Sequence, residues 1–103
     1  MVTFSEEPTV LTCSGDEDRA TQSLRRPALS RALAARTDLL VDLSELSFAD
    51  SSLMLDLALV AQRLRKSGAG MRLRGAQPHI RRLVELVGLD RLAGVTADWP
   101  ALA

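Results

Sequence analysis

The chain has 103 residues, with thirteen Lys and Arg set against thirteen Asp and Glu for a formal net charge of zero. That length makes one domain with a single core, and neutrality gives no general electrostatic reason to bind nucleic acid. It also removes one defence against self-association. Hydrophobic residues make up 47% and aromatic residues only 3%, so aliphatic side chains must build the core.

In chain order, residues 1–8 form a lead-in with a short strand over 2–4. Their start is acidic and lacks an apolar run, unlike a signal peptide. Residues 9–13 make a strand, and Gly15-Asp16-Glu17-Asp18 a turn. From about 20 to 36, Leu24, Ala28, Leu29, Ala32 and Leu33 recur at helical spacing. Pro27 either kinks this helix or marks its true first turn. Residues 39–43 are a nearly continuous apolar run, which suits a strand buried on both faces of a parallel sheet. Residues 51–67 read as a helix, with Asp50 and Ser51 as good N-caps and Gly68 and Gly70 as its break. Residues 71–74 alternate as a strand.

Pro78 opens a third helix. Its buried stripe is Ile80, Leu83, Val84 and Val87. Gly88 supplies a left-handed cap, and Leu89 folds back onto the last turn. Residues 96–103 are a short tail preceded by a short strand at Val95, so the domain proper spans 9–95. Alternating strands and helices imply an α/β domain, a mostly parallel central sheet with packed helices and right-handed crossovers. The strands at 38–43 and 71–74 should be parallel neighbours joined by helix 51–67.

Little in the chain has the makings of catalysis. Cys13 is the single cysteine. It cannot form an internal disulfide, fits a reducing cytoplasm and belongs in a buried strand. His79, beside the helix-opening Pro78, reads as a polar surface residue. Asp42 and Asp50 read as a strand-end hydrogen-bond acceptor and a cap, with nothing to fix a substrate between them. Arg72, Arg74, Arg81 and Arg82 form a solvated basic group. Gly68-Ala69-Gly70 lacks the length and the following Lys-Ser/Thr of a phosphate loop. The sequence offers no metal-ligand cluster, and no apolar stretch reaches the ~20 residues of a membrane helix. The expectation is no enzyme, no cofactor and no metal.

Helix 51–67 has two distinct faces. Met54, Leu57, Ala61 and Leu64 share the core side, with Leu53 at its edge. Leu55 and Leu59 project oppositely, near Asp56, Gln62 and Arg63. An exposed apolar pair ringed by polar groups is what a binding site looks like. Its cover is either a partner or a second copy of the chain in a homodimer.

Residues 39–52, Leu-Leu-Val-Asp-Leu-Ser-Glu-Leu-Ser-Phe-Ala-Asp-Ser-Ser, resemble the signature of STAS domains, the anti-sigma factor antagonists. Gly15-Asp16-Glu17-Asp18 resembles that family's Gly-x-x-Asp turn, and residues 78–89 its third helix with a Gly-Leu cap. Leu53 departs from the pattern, standing where the family usually has a glycine that lets a partner's backbone come close. The tail after Leu89 is also shorter than in many members.

The resemblance implies a small STAS domain and a cytoplasmic, bacterial anti-sigma factor antagonist. Its partner would be an anti-sigma factor with serine kinase activity, and binding it would free a sigma factor. Ser51 holds the phospho-acceptor position, with Ser52 the second candidate, and Asp50 would help orient the serine. The implied partner surface comprises Asp50, Ser51, Ser52, Leu55, Asp56, Leu59, Gln62 and Arg63, with the Asp18 turn near it. On the residues alone, either serine is equally a helix cap. The alternative within the family is an unphosphorylated STAS subunit or scaffold, such as the partner of a lipid-trafficking transporter or a piece of a stress-sensing assembly.

Overall fold

The computed structural model describes residues 1–99. In chain order the elements are β1 (Val2–Glu6), β2 (Thr9–Glu17), a 3-10 turn (Arg19–Thr21), α1 (Gln22–Ala35), β3 (Leu39–Ala49), α2 (Ser51–Lys66), β4 (Met71–Arg74), α3 (Pro78–Val87), a second 3-10 turn (Leu89–Arg91) and β5 (Val95–Asp98). One sheet runs in the order β1-β2-β3-β4-β5. β1 pairs antiparallel with β2, and all other pairs are parallel. Leu39–Asp42 lie opposite Met71–Arg74 in parallel register, with α2 as the crossover. This is the expected arrangement. Residues 100–103 of the expected tail lie outside the described residues, whereas Val95–Asp98 complete the sheet.

Alternation along the strands sorts the two faces. Val2, Phe4, Leu11, Cys13, Leu39, Val41, Leu43, Met71 and Leu73 are buried on one side. Against them pack Leu29 and Ala32 of α1, Leu53, Met54, Leu57, Val60, Ala61 and Leu64 of α2, and Ile80 and Val84 of α3. The other side carries Thr3, Thr12, Asp42, Arg72, Arg74 and Thr96, none of them buried. The fold is therefore one sheet and one helical layer. The expectation that residues 39–43 are covered on both faces is corrected: Leu40 and Asp42 lie half-buried on the open face. An apolar run identifies a strand but does not count the layers around it.

Two strands run longer than expected. Gly15, Asp16 and Glu17 belong to β2 rather than to a turn, and Asp18 caps the 3-10 turn that follows. Register shifts at Thr12/Ser14 and Gly15/Asp16 absorb the polar run, and Gly15 takes a positive φ of 66° there. The long partner β3 supplies pairing as far as Ala49. In β3 the alternation breaks after Leu43. Ser44 and Glu45 are both exposed, and Leu46 and Ala49 turn back inward. That break conceals the strand's second half from a period-two reading.

The helices also correct their predicted faces. In α1 the inward stripe is Arg25, Leu29 and Ala32, while Leu24 is exposed. Pro27 lies inside α1, where it withholds a hydrogen bond only from the carbonyl of solvent-facing Ser23. In α3, Val87 is exposed because the helix ends on it. Gly88 then turns left-handed, with its N–H 3.0 Å from the Val84 carbonyl, and Leu89 takes the core position. Leu53 sits fully within the core rather than at its edge.

On α2, Leu57 is 0% exposed and Leu59 is 55% exposed, two residues apart. Leu57→Ala should cost about 2–5 kcal/mol, since it empties a filled core site. Leu59→Ala should cost within about 0.5 kcal/mol. Urea unfolding of both variants checks this, and equal losses would contradict the assigned face.

Candidate functional site

The start of α2 is held by a network of local caps and one buried cation. Asp50 follows β3 in an extended conformation, and its side chain caps the helix. Its Oδ1 accepts the Ser52 amide at 2.9 Å and the Ser52 hydroxyl, and its Oδ2 accepts the Arg19 amide at 3.1 Å. Asp18 repeats the device one turn away. Its Oδ1 accepts the amides of Ala20 and Thr21, while the Asp18 amide donates to the Thr21 hydroxyl. The Asp50 amide donates to the Glu17 carbonyl. The parallel β2–β3 pairing thus sets the Asp18 turn beside the helix start, joining two segments 31 residues apart.

The residue that sequence reasoning missed is Arg25. It is 1% exposed and lies under this junction. Its Nε donates to Asp56 Oδ2 at 2.8 Å, its Nη1 to the Asp18 carbonyl at 3.0 Å and Glu17 Oε1 at 3.3 Å, and its Nη2 to Ser52 Oγ at 3.0 Å. Glu17 is buried as well, and its Oε2 accepts from the Met1 amine at 2.7 Å. A buried charge needs such pairing because leaving water costs several kcal/mol per ion. The three nitrogens of the planar guanidinium fork reach these partners in different directions. The available sequence signal was position: Arg25, Leu29 and Ala32 stand at i, i+4 and i+7. A lone arginine in a core stripe invites a search for carboxylates to meet it.

The two adjacent serines have separate environments. Ser52 is buried, its hydroxyl donating to Asp50 and accepting from Arg25. Ser51, the first residue of α2, is exposed, and its hydroxyl takes no part in that network. Leu55 is exposed one turn on, and Arg19, Asp50, Ser51 and Leu55 line one shallow depression. Leu59, Gln62 and Arg63 continue the exposed face of α2. Asp56 is turned half inward to Arg25. Of the predicted surface residues, Ser52 faces inward, Asp56 is half-buried against Arg25, Asp50 caps the helix, and Ser51, Leu55, Leu59, Gln62 and Arg63 are exposed on α2.

The Ser52 hydroxyl holds the Asp50 carboxyl below its ordinary 3.8. Burial opposes this, and the amides of Ser52 and Arg19 and the field of Arg25 reinforce it. On the open sheet face, burial pushes the Asp42 carboxyl up. Hydrogen bonds from the Ser44 hydroxyl and amide and from Arg74 outweigh that and hold it low. Burial, with help from Glu17, pushes the Cys13 thiol up to about 12 and makes it a core residue rather than a nucleophile. Among the described residues no group of three His, Cys, Asp or Glu could hold a metal, and no helix is long and apolar enough to cross a membrane. The arrangement presents a rigid helix end with one free hydroxyl and an apolar face.

This fold and helix start define a small α/β domain of the STAS type. The sequence matches the family model described as Mlab, STAS domain over residues 1–95, and the chain belongs to the STAS domain family. Solved structures share the fold, three of them as follows. A proposed anti-sigma factor antagonist of Thermotoga maritima superposes with a TM-score of 0.75 at 15% identity, over 99% of this chain and 86% of that one. The anti-sigma factor antagonist SpoIIAA in its unphosphorylated form gives 0.72 at 22% identity, over 87% and 78%. The phosphorylated form of SpoIIAA, a cell fate determinant of Bacillus, gives 0.65 at 20% identity, over 95% and 89%. No curated protein sequence matches the chain significantly.

Two measurements test the junction. Arg25→Ala should destabilise the fold by about 3 kcal/mol. Arg25→Lys should recover less than half of that, since an ammonium lacks the fork; equilibrium unfolding reads both. A lowered Asp50 carboxyl contributes stability that is fully present above its unfolded value and lost as pH falls through its folded value. The melting-temperature gap between wild type and Asp50→Asn should therefore be open at neutral pH and close as the pH drops below about 4. A gap that widens in acid would contradict the assignment.

Proposed function

We propose that this chain is a non-enzymatic regulator of the anti-sigma factor antagonist kind, cytoplasmic and bacterial. It binds an anti-sigma factor with serine kinase activity through the start and exposed face of α2, and phosphorylation of Ser51 ends the complex. The observation that carries this reading is the division of labour between the serines. Ser52 is consumed by Asp50 and Arg25, so a kinase can reach only the Ser51 hydroxyl without dismantling the core. The relatedness of the fold to SpoIIAA, solved in unphosphorylated and phosphorylated forms, supports it further.

The mechanism is electrostatic. A phosphate adds about −1.5 to −2 charges near neutral pH. At Ser51 it meets free backbone N–H groups and the positive end of the α2 dipole, which tolerate an anion in the isolated protein. In a complex the same charge sits beside Asp50 and must be desolvated against an interface built on Leu55 and Leu59. Modification therefore acts on binding far more than on stability.

A second reading has its own support. The matching family model carries the Mlab description, and Leu53, at the position where antagonists usually carry glycine, is filled by core packing. On that reading the chain is an unphosphorylated STAS subunit, of a lipid-trafficking transporter for example, docking through the same face of α2.

The experiment is a pull-down from the native host with intact-mass analysis of the bait, followed by affinity and melting measurements on Ser51→Ala and Ser51→Asp. On the first reading, Ser51→Asp loses partner affinity at least about tenfold with a near-wild-type melting temperature, and a phosphate mass is present on wild type and absent from both Ser51→Ala and Ser51→Asp. Equal affinity across the three proteins, with a transporter subunit captured, would establish the second.

A further inference from the structure

The neutral chain does not spread its charges evenly. Along α2, Leu55, Leu59, Gln62 and Lys66 run up one crest, while Arg63 leans to the α1 side and Arg65 to the opposite one. A groove flanks the crest on each side. One, between α1 and α2, has a volume of about 210 Å³ and is lined in part by Arg26, Leu59 and Arg63. The other, between α2 and residues 92–93, has a volume of about 590 Å³ and is lined in part by Leu59, Arg63, Arg65 and Lys66. The one acidic residue lining either groove is Asp56, and Arg25 occupies its carboxylate. Among the described residues, none of Arg26, Arg63, Arg65 and Lys66 makes an ion pair. Four cations thus stand around one exposed leucine, and among the described residues none of them is paired with an anion.

We infer that the C-terminal half of α2 and its two grooves receive an acidic protein segment carrying an apolar anchor. Its carboxylates pair with Arg26, Arg63, Arg65 and Lys66, and its apolar side chain covers Leu59. Arginine and lysine at the rim of an apolar contact favour carboxylate recognition and fast encounter. A flat bilayer fits less well, since it would meet the convex crest while all four cations line the grooves receding on either side of it. The inference rests on reading α2 as the partner face, and adds the partner's chemistry and a division of that face. Arg63 lies about 18 Å along the helix from Ser51, beyond the Debye length of about 8–10 Å at physiological salt. Charge at Ser51 acts on one end of the interface, and the acidic anchor holds the other.

The test uses the full chain and a labelled helical peptide of about 16 residues, with glutamates around leucines spaced i, i+4. Its controls are the same peptide with lysine for each glutamate, phosphatidylglycerol vesicles and duplex DNA. Fluorescence anisotropy should detect binding of the glutamate peptide and not of the lysine peptide, weakening about tenfold between about 50 and about 300 mM salt. Arg63→Glu should weaken it at least about tenfold, and Arg63→Gln and Lys66→Gln each by a smaller factor without loss of fold. Ser51→Asp should change it less than about threefold. Equal binding of the two peptides, unchanged binding in the Arg63 variants, or binding of vesicles or DNA in place of the glutamate peptide would overturn the inference. Arg63 variants without effect on the peptide, beside a partner affinity still lost in Ser51→Asp, would remove the acidic anchor and leave the switch at Ser51 standing.

Discussion

A single buried guanidinium, that of Arg25, is the constraint on which the architecture around α2 depends. Its donors reach Asp56 on α2, Glu17 at the end of β2, the Asp18 carbonyl in the first 3-10 turn and the Ser52 hydroxyl. α1 meets three other chain segments there, α2, the end of β2 and the turn after it, and each of the three contributes oxygen that would be costly to leave unpaired. The geometry is met only when α1 and α2 pack in one relative position. A nonspecific aliphatic contact would tolerate sliding between them, and a hydrogen-bonded fork does not.

That constraint has a consequence for the two serines. The network takes Ser52 as a structural ligand, with Asp50 closing the loop as N-cap and Arg19 amide acceptor. Ser51 is left outside as a hydroxyl on a rigid platform. Rigidity matters for a binding module, since a preorganised helix end loses little conformational entropy on docking. The same platform keeps Leu55 and Leu59 outward, because Leu53, Leu57 and Leu64 fill the core beneath. The basic grooves beside Leu59 extend that outward face beyond the serine.

The sheet has a helical layer on one side only, which is uncommon for parallel strands. Its open face is largely polar. Threonines and charged residues occupy it, and Asp42 pairs with Arg74 at 3.1 Å across β3 and β4. Leu40 and its β2 neighbour Val10 are half-covered there. Leu24, Leu55, Leu59 and Leu86, all exposed, lie on the helical layer instead.

The amino-acid sequence by itself determined the order of elements, the parallel pairing around α2, the two faces of that helix and the motif at its start. Those features arise from local periodicity and capping, which neighbours in the chain express directly. Leu57 and Leu59 can be told apart by helical phase alone. Only the tertiary structure decided the rest. Helical phase made Leu24 a core residue and overlooked Arg25, because hydropathy counts an arginine as surface until carboxylates from other elements converge on it. Gly15 and Asp16 resembled a turn, yet pairing with β3 drew them into a strand. Ser51 and Ser52 were equivalent as letters in a cap. What separates them is a guanidinium 27 residues upstream of Ser52, brought there by packing between α1 and α2 that no local pattern encodes.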